Sequence, residues 1–186
     1  MGYDAMAIGN HDFDFPQNVM KRNANLASFP FLSANTYFEG HRPEYLIPSI
    51  VVTAAGRSFG IIGLTDDRSA VYTHPNNVKG ITYKNHFEAA AEEVESMRDK
   101  VDVVIALSHL HGDNYVLPKR VAGIDFEMGG GNDVVALPQL IGSTWLMTAR
   151  PDIADKINDT HQFALALDRR NGRDFKCYGV GTPEDI

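Results

Sequence analysis

Short apolar runs that end at polar turns recur along the first two thirds of this chain. Three of them, at residues 5–8, 59–64 and 101–107, are each followed by Asn, Asp or His side chains. The third run is almost continuous Val, Ile, Ala and Leu, which is typical of a strand buried on both faces. A shorter run at residues 31–34 predicts a further strand.

Helical spacing lies between the second and third runs. In residues 85–100, acidic residues occupy one face and the other face is apolar, formed by Phe87, Ala90, Ala91, Val94 and Met97. Asn85 followed by Glu88 resembles a capping box and predicts that this helix begins there. A second helix is predicted over residues 16–28, begun by Pro16. A strand, a helix and another strand in this order form a crossover unit.

The second half of the chain has a less regular pattern. Segments 137–149 and 161–170 predict strands of an antiparallel or mixed sheet, and Asn171–Gly172 predicts a hairpin turn. Trp145 and Met147 are expected in the core. Because no linker or repeat divides the chain, residues 1–186 are predicted to form one domain of the α/β class, a layered sheet covered by helices.

Composition and charge narrow the classes of function. The 186 residues are 44% hydrophobic, as in a globular domain, and the single cysteine, Cys177, excludes an internal disulfide. The formal net charge is −7 and no basic patch is evident, so nucleic acid is not an expected partner. No apolar run approaches the roughly 18 residues needed to span a bilayer, so no membrane partner is expected. No signal peptide is visible, and the compartment stays undecided.

Two polar turns carry the candidate chemistry, because sites in open α/β sheets form beyond the carboxyl ends of strands. Asn10 offers a carbonyl oxygen and His109 an imidazole, both ligands for divalent cations. His11 can donate a proton to a leaving oxygen, and Asp14 can hold its ring in one tautomer. A bound metal would also supply the positive charge that an acidic protein needs to handle phosphate esters.

Plainer interpretations stay open for each of these residues. Asn10–His11 could cap a helix, and His109 could be a core histidine. His111 is assigned here to substrate binding, with a second metal ligand or a solvated loop residue as alternatives. Asp66–Asp67 is expected to be a solvated turn or cap and Gly129–Gly131 a flexible turn. Four other histidines are expected at the surface, namely His41, His74, His86 and His161.

The segment "YDAMAIGNHDFDF" resembles the Gly-Asn-His-Asp/Glu motif of calcineurin-like metallophosphoesterases, in particular their 5'-nucleotidase branch. "FPFLSANTY", "GIIGLTDD" and "VDVVIALSHLHGD" continue the resemblance in order. It implies two metal ions that clamp a phosphoryl group for attack by an activated water. By the same resemblance, Asn10 and His109 are metal ligands, His11 is the catalytic histidine and Asp14 is its carboxylate partner. The metal could be Mn, Zn, Fe, Mg or Ca.

Three motifs of that family depart from their usual form. The early Asp-x-His and Gly-Asp motifs are absent, which predicts a chain lacking its first strands. The final Gly-His-x-His motif matches "GGGNDVV", where Gly131 and Asp133 replace the two histidines and Asp133 is a possible metal ligand.

These departures predict weak or no activity of this chain alone toward a phosphate monoester or nucleotide. The alternative is a non-catalytic module that binds a metal or another protein. Missing strands would also expose sheet edges and predict self-association.

Overall fold

The computed structural model describes residues 2–131 and 138–148. Its strands are β1 (Met6–Ala7), β2 (Phe31–Leu32), β3 (Thr36–Phe38), β4 (Leu46–Ile47), β5 (Ser49–Ala54), β6 (Arg57–Thr65), β7 (Ile81–Tyr83), β8 (Val103–His109), β9 (Phe126–Gly130), β10 (Gln139–Ile141) and β11 (Thr144–Thr148). The helices are α1 (Gln17–Leu26), α2 (His86–Met97) and α3 (Leu117–Arg120), with short 3₁₀ helices at Asn10–Phe13, Ser69–Val71, Arg98–Lys100 and His111–Tyr115.

The strands form two main sheets. The larger has six strands in the order β10-β11-β9-β8-β6-β5, and the smaller has the order β1-β2-β4. Strands β6, β8, β9 and β11 run parallel, and α2 makes the crossover from β6 to β8. A separate two-stranded ribbon pairs β3 with β7. The carboxyl ends of β6 and β8 therefore meet at one edge of the larger sheet.

Alternating residues of the central strands fill two apolar layers. Ile62 and Leu64 of β6 pack with α2 on one face of the larger sheet. Phe59 and Ile61 pack on the opposite face against the smaller sheet. A third cluster on the far side of the smaller sheet includes Met20 of α1. Each such aliphatic side chain contributes about 1.5–3 kcal/mol when fully buried, so these layers hold the strand ends in place.

The predicted layered α/β class is confirmed, with a sheet divided into two packed layers. The predicted helices correspond to α1 and α2. The predicted strands are found in β1, β2, β6 and β8, although β1 and β2 are shorter than expected. The strands predicted in residues 137–149 are found as β10 and β11, which pair antiparallel in an otherwise mostly parallel sheet. The short strands β3, β4, β5, β7 and β9 were not predicted, because runs of two to six residues carry too little periodicity.

Two predictions of local environment in β9 and β11 are wrong. Gly129 and Gly130 lie inside β9 and not in a flexible turn. Trp145 is 43% exposed on β11 and is not a core residue. Predictions for residues 161–172 lie outside the described part of the chain. Within residues 2–131 and 138–148, no helix combines the length and apolarity needed to cross a bilayer.

Candidate functional site

The end of β1 brings Asn10 and His11 to the edge of the larger sheet. Ile8 is fully buried, and after Gly9 the backbone turns into the 3₁₀ helix Asn10–Phe13. The carboxylate of Asp12 accepts a hydrogen bond from the Gly9 N–H at 2.7 Å and closes this turn. The turn places the Asn10 side chain inside the protein and leaves His11 partly exposed.

His109 is the last residue of β8 and lies directly against this turn. Its Nε2 lies 2.9 Å from Asn10 Oδ1, across a separation of 99 positions in the sequence. A Cβ on Gly9 would stand 2.7 Å from the His109 ring, so the glycine permits the close approach. Two distant apolar runs therefore bring one amide and one imidazole together, as the strand-end argument predicts.

Burial keeps the His109 imidazole neutral. Loss of solvation, with smaller contributions from the neighbouring His111 and His11, lowers the pKa of His109 from 6.5 to about 4. At neutral pH the ring therefore retains a nitrogen lone pair. A neutral imidazole is the form that binds a metal ion.

His11 and Asp14 form a pair at the solvent side of the same turn. His11 Nδ1 donates to Asp14 Oδ2 at 2.8 Å, and the two side chains are 32% and 45% exposed. Asn77 donates to the backbone oxygens of Phe13 and Asp14 and fixes the loop that carries the pair. The bond to Asp14 leaves proton transfer to the Nε2 atom of His11.

His111 reaches the site through a sharp turn of the backbone after β8. The backbone does not continue extended after β8, because His111 has a φ of 54° and begins a 3₁₀ helix. Its ring still lies 5.1 Å from the His109 ring, centroid to centroid, and meets the Tyr72 ring at 5.3 Å. Burial lowers the pKa of His111. Its Nδ1 is buried without a hydrogen-bond partner among the described residues.

Gly131 lies against His111, and Asp133 is outside the described residues. A Cβ on Gly131 would be 2.8 Å from His111 Nδ1 and 2.9 Å from its Cα. The His111 side chain therefore occupies the space that a side chain at position 131 would need. The assignment of Asp133 as a metal ligand therefore stays a prediction.

The donor set fits one divalent cation. Two ligands at about 2.1 Å from one ion and at right angles to each other are about 3 Å apart, close to the 2.9 Å between Asn10 Oδ1 and His109 Nε2. The unpaired Nδ1 of His111 supplies a third donor atom nearby. Among the described residues, these donors are too few to hold two ions.

A second polar cluster was missed from the sequence. Asp66 follows β6, is fully buried and accepts two hydrogen bonds from the Arg68 side chain. His86, at the start of α2, is 1% exposed. The expectations of a solvated Asp66 and a surface His86 are therefore wrong. The sequence did contain a signal for this cluster, because an Asp-Asp pair follows a buried strand directly. Asn10 and His109 were selected as site residues from the same strand-end position.

Several curated proteins are similar in sequence to this chain over more than half of its length. Protein UshA from Salmonella pullorum is 34% identical over 76% of this chain and 26% of its own length. A 5'-nucleotidase from Vibrio cholerae is 34% identical over 59% of this chain and 20% of its own length. The chain thus spans about a quarter of the length of these relatives. No family model matches it.

Solved structures share the fold. A 5'-nucleotidase from Staphylococcus aureus superposes with a TM-score of 0.69 and 18% identity, over 79% of this chain and 32% of the other. The calcineurin-like phosphoesterase YfkN from Bacillus subtilis superposes with a TM-score of 0.66 and 20% identity, over 80% of this chain and 54% of the other. With the strand-end site and the sequence relatives, these likenesses lead to one conclusion: the chain belongs to the calcineurin-like phosphoesterase superfamily, as a 5'-nucleotidase-like domain.

Proposed function

We propose that this domain is a metal-dependent phosphoesterase that hydrolyses a phosphate monoester or nucleotide, with low activity as this chain alone. The observation that carries the proposal is the 2.9 Å contact between Asn10 and His109, next to the His11–Asp14 pair. The relatives named as 5'-nucleotidases support the substrate class.

One divalent cation would be held by Asn10 and His109, with Asp133 as a further candidate ligand. It could be Mn, Zn, Fe, Mg or Ca, although the imidazole nitrogen favours the transition metals. When bound, it supplies Lewis-acid charge to the phosphoryl oxygens and to the attacking water. The amide and the neutral imidazole bring no charge, so the cation keeps its full attraction for phosphate.

His11 and Asp14 act on the substrate side. The Asp14 carboxylate holds the ring in one orientation through its Nδ1–H. From Nε2, a protonated His11 donates to the transferring phosphoryl group or to the leaving oxygen. Because this pair is partly exposed and Asn10 and His109 are buried, the phosphate approaches past His11 towards the interior. His111, beside His109, contacts the substrate or adds a third donor.

Substitution of His11 tests the proposal directly. With Mn²⁺ present, the chain should hydrolyse p-nitrophenyl phosphate or a nucleoside 5'-monophosphate slowly. His11→Ala should lower kcat by roughly 10²–10⁴-fold, as for loss of a general acid, and Asp14→Asn by roughly 10–100-fold, as for loss of an orienting partner. His74→Ala, at an exposed histidine, is the matched control. Hydrolysis that survives His11→Ala unchanged would rule out the assigned role.

A non-catalytic module is the second candidate function. It is favoured by Gly131, which supplies no ligand side chain and contacts His111 closely. Such a module would still bind a cation through Asn10 and His109. Calorimetric Mn²⁺ titration of the wild type and of His109→Gln, combined with the hydrolysis assay, separates the two functions. Binding that requires His109, without any hydrolysis, favours the module.

A further inference from the structure

A second group of metal-ligating side chains lies beside the candidate active site. Asp66 and Asp67 follow β6, and His86 is the first residue of α2. One potential ligand atom of each lies within 4.8 Å of the other two. The Asp66 N–H donates to the His109 carbonyl at 2.9 Å, so this group sits next to the first site but uses different side chains.

The imidazole of His86 is buried in this group, and neither ring nitrogen has a hydrogen-bond partner among the described residues. Asp67 lies 3.3 Å from Nδ1 and Asp113 lies 3.4 Å from Nε2, but neither contact has hydrogen-bond alignment. A neutral imidazole has one donor and one lone pair, and an ionised carboxylate can only accept. One ring nitrogen therefore faces an acceptor and needs a cation between them.

The poor alignment of the His86 ring nitrogens with the carboxylates of Asp67 and Asp113 favours a metal ion, and not a proton, as the cation between them. A proton-mediated bond requires the carboxylate oxygen in line with the ring nitrogen. A metal ion bonded to both atoms at about 2.1 Å instead sits beside the line that joins them, so it tolerates the 3.3 Å offset contact between His86 and Asp67. Asp66, Asp67 and His86 would then supply two oxygens and one nitrogen, a donor set suited to Zn²⁺ or Mn²⁺.

Neighbouring side chains already hold these ligands. Arg68 donates to both oxygens of Asp66 at 2.9 Å and to Asp113 at 3.1 Å. Asn85 donates to Asp67 at 3.1 Å. Asp113 stands on the other side of the His86 ring, as the carboxylate partners of metal-bound histidines commonly do.

The charge of the cluster matches a divalent ion. Three carboxylates, those of Asp66, Asp67 and Asp113, surround one guanidinium, that of Arg68. They leave a formal charge of two negative units, which one divalent cation neutralises. We propose that Asp66, Asp67 and His86 form a second divalent-cation site, distinct from Asn10 and His109, with Asp113 and Arg68 as positioning residues.

Anomalous scattering locates the ion directly. Crystals of the wild-type chain are soaked in ZnCl₂ and measured on both sides of the zinc absorption edge. A peak within about 2.0–2.2 Å of an oxygen of Asp66, an oxygen of Asp67 and a nitrogen of His86 is the expected result. Zinc bound only at Asn10 and His109, only at surface residues, or nowhere under a saturating soak overturns the proposal.

Solution binding assigns the ligands separately from the first site. The His109→Gln variant should still retain one zinc equivalent after desalting. The double variant His109→Gln/His86→Gln should bind zinc roughly 100-fold more weakly or worse. That loss is larger than expected for a residue that only hydrogen-bonds to a metal ligand. His74→Gln is the matched control. Asp67→Asn, at a partly exposed position, tests the site if the buried His86 variant fails to fold. Unchanged zinc affinity in a folded His86 or Asp67 variant contradicts the assignment, whether or not the chain hydrolyses phosphate esters.

Discussion

Gly131 and His111 share one small space at the candidate site. The glycine has a φ of 116°, a conformation that L side chains rarely adopt, and its Cα faces the backbone and Nδ1 of His111. A side chain at 131 would displace the imidazole that now lies beside His109. The absence of a side chain at residue 131, directly after β9, therefore lets His111 lie beside His109.

Gly131→Ala should move His111 and destabilise the fold. The left-handed backbone costs about 1 kcal/mol for a residue with a Cβ, and crowding adds about 1–3 kcal/mol. Urea unfolding measures the sum. Gly56→Ala is the matched control, because Gly56 has a φ of 74° but nothing within 4 Å of a Cβ. Equal losses in the two variants would show that the contact with His111 carries no cost.

The start of α2 serves both the crossover and the second cluster. Asn85 Oδ1 accepts from the N–H groups of Phe87 and Glu88 at 3.1 and 3.2 Å, which confirms the predicted cap. Asn85 Nδ2 donates to Asp67. The cap thus fixes the first turn of α2, including His86, relative to the loop that follows β6.

Removing this cap should lower thermal stability by a measurable amount. Asn85→Ala is expected to cost about 1 kcal/mol, which is roughly 2–4 °C in Tm for a chain of this size. Asn85→Ser keeps a capping oxygen and should recover most of the loss. Differential scanning calorimetry gives both values. If Ser were as destabilising as Ala, the bond to Asp67 and not the cap would be the source of the stability.

Across the whole molecule, the larger sheet ends at β10, whose outer side has no paired strand among the described residues. Leu140 of β10 pairs with Trp145 of β11, and these side chains are 56% and 43% exposed. An apolar edge strand is a template for pairing with another chain.

We expect the chain to self-associate through this edge. The weight-average mass from light scattering should rise with protein concentration, and Leu140→Lys should suppress the rise, because a charge on an edge strand opposes pairing. Leu26→Lys is the control, at an exposed leucine of α1. A mass that stays monomeric at all concentrations, or that is equally suppressed by the control, would contradict this expectation.

Several features followed from contiguous residues alone. The apolar runs predicted the central strands, and the spacing from Phe87 to Met97 predicted α2, because burial of one face imposes a period on neighbouring residues. The Gly-Asn-His turn and the three segments that follow it in the same order as in the family indicated the family. The strand-end rule also predicted that Asn10 and His109 belong to a shared site.

Tertiary structure decided which polar groups meet and which are buried. The contact of Asn10 with His109 depends on the pairing of β1 and β8 with other strands, which no local pattern specifies. Asp66 and His86 looked like solvated residues, because periodicity reports the apolar face of an element and not the partners of its polar residues. Asp66 pairs with Arg68, two positions along the chain, whereas Asp113 reaches His86 only through packing. The motif was therefore set locally, while the neighbours of each candidate ligand were set by the fold.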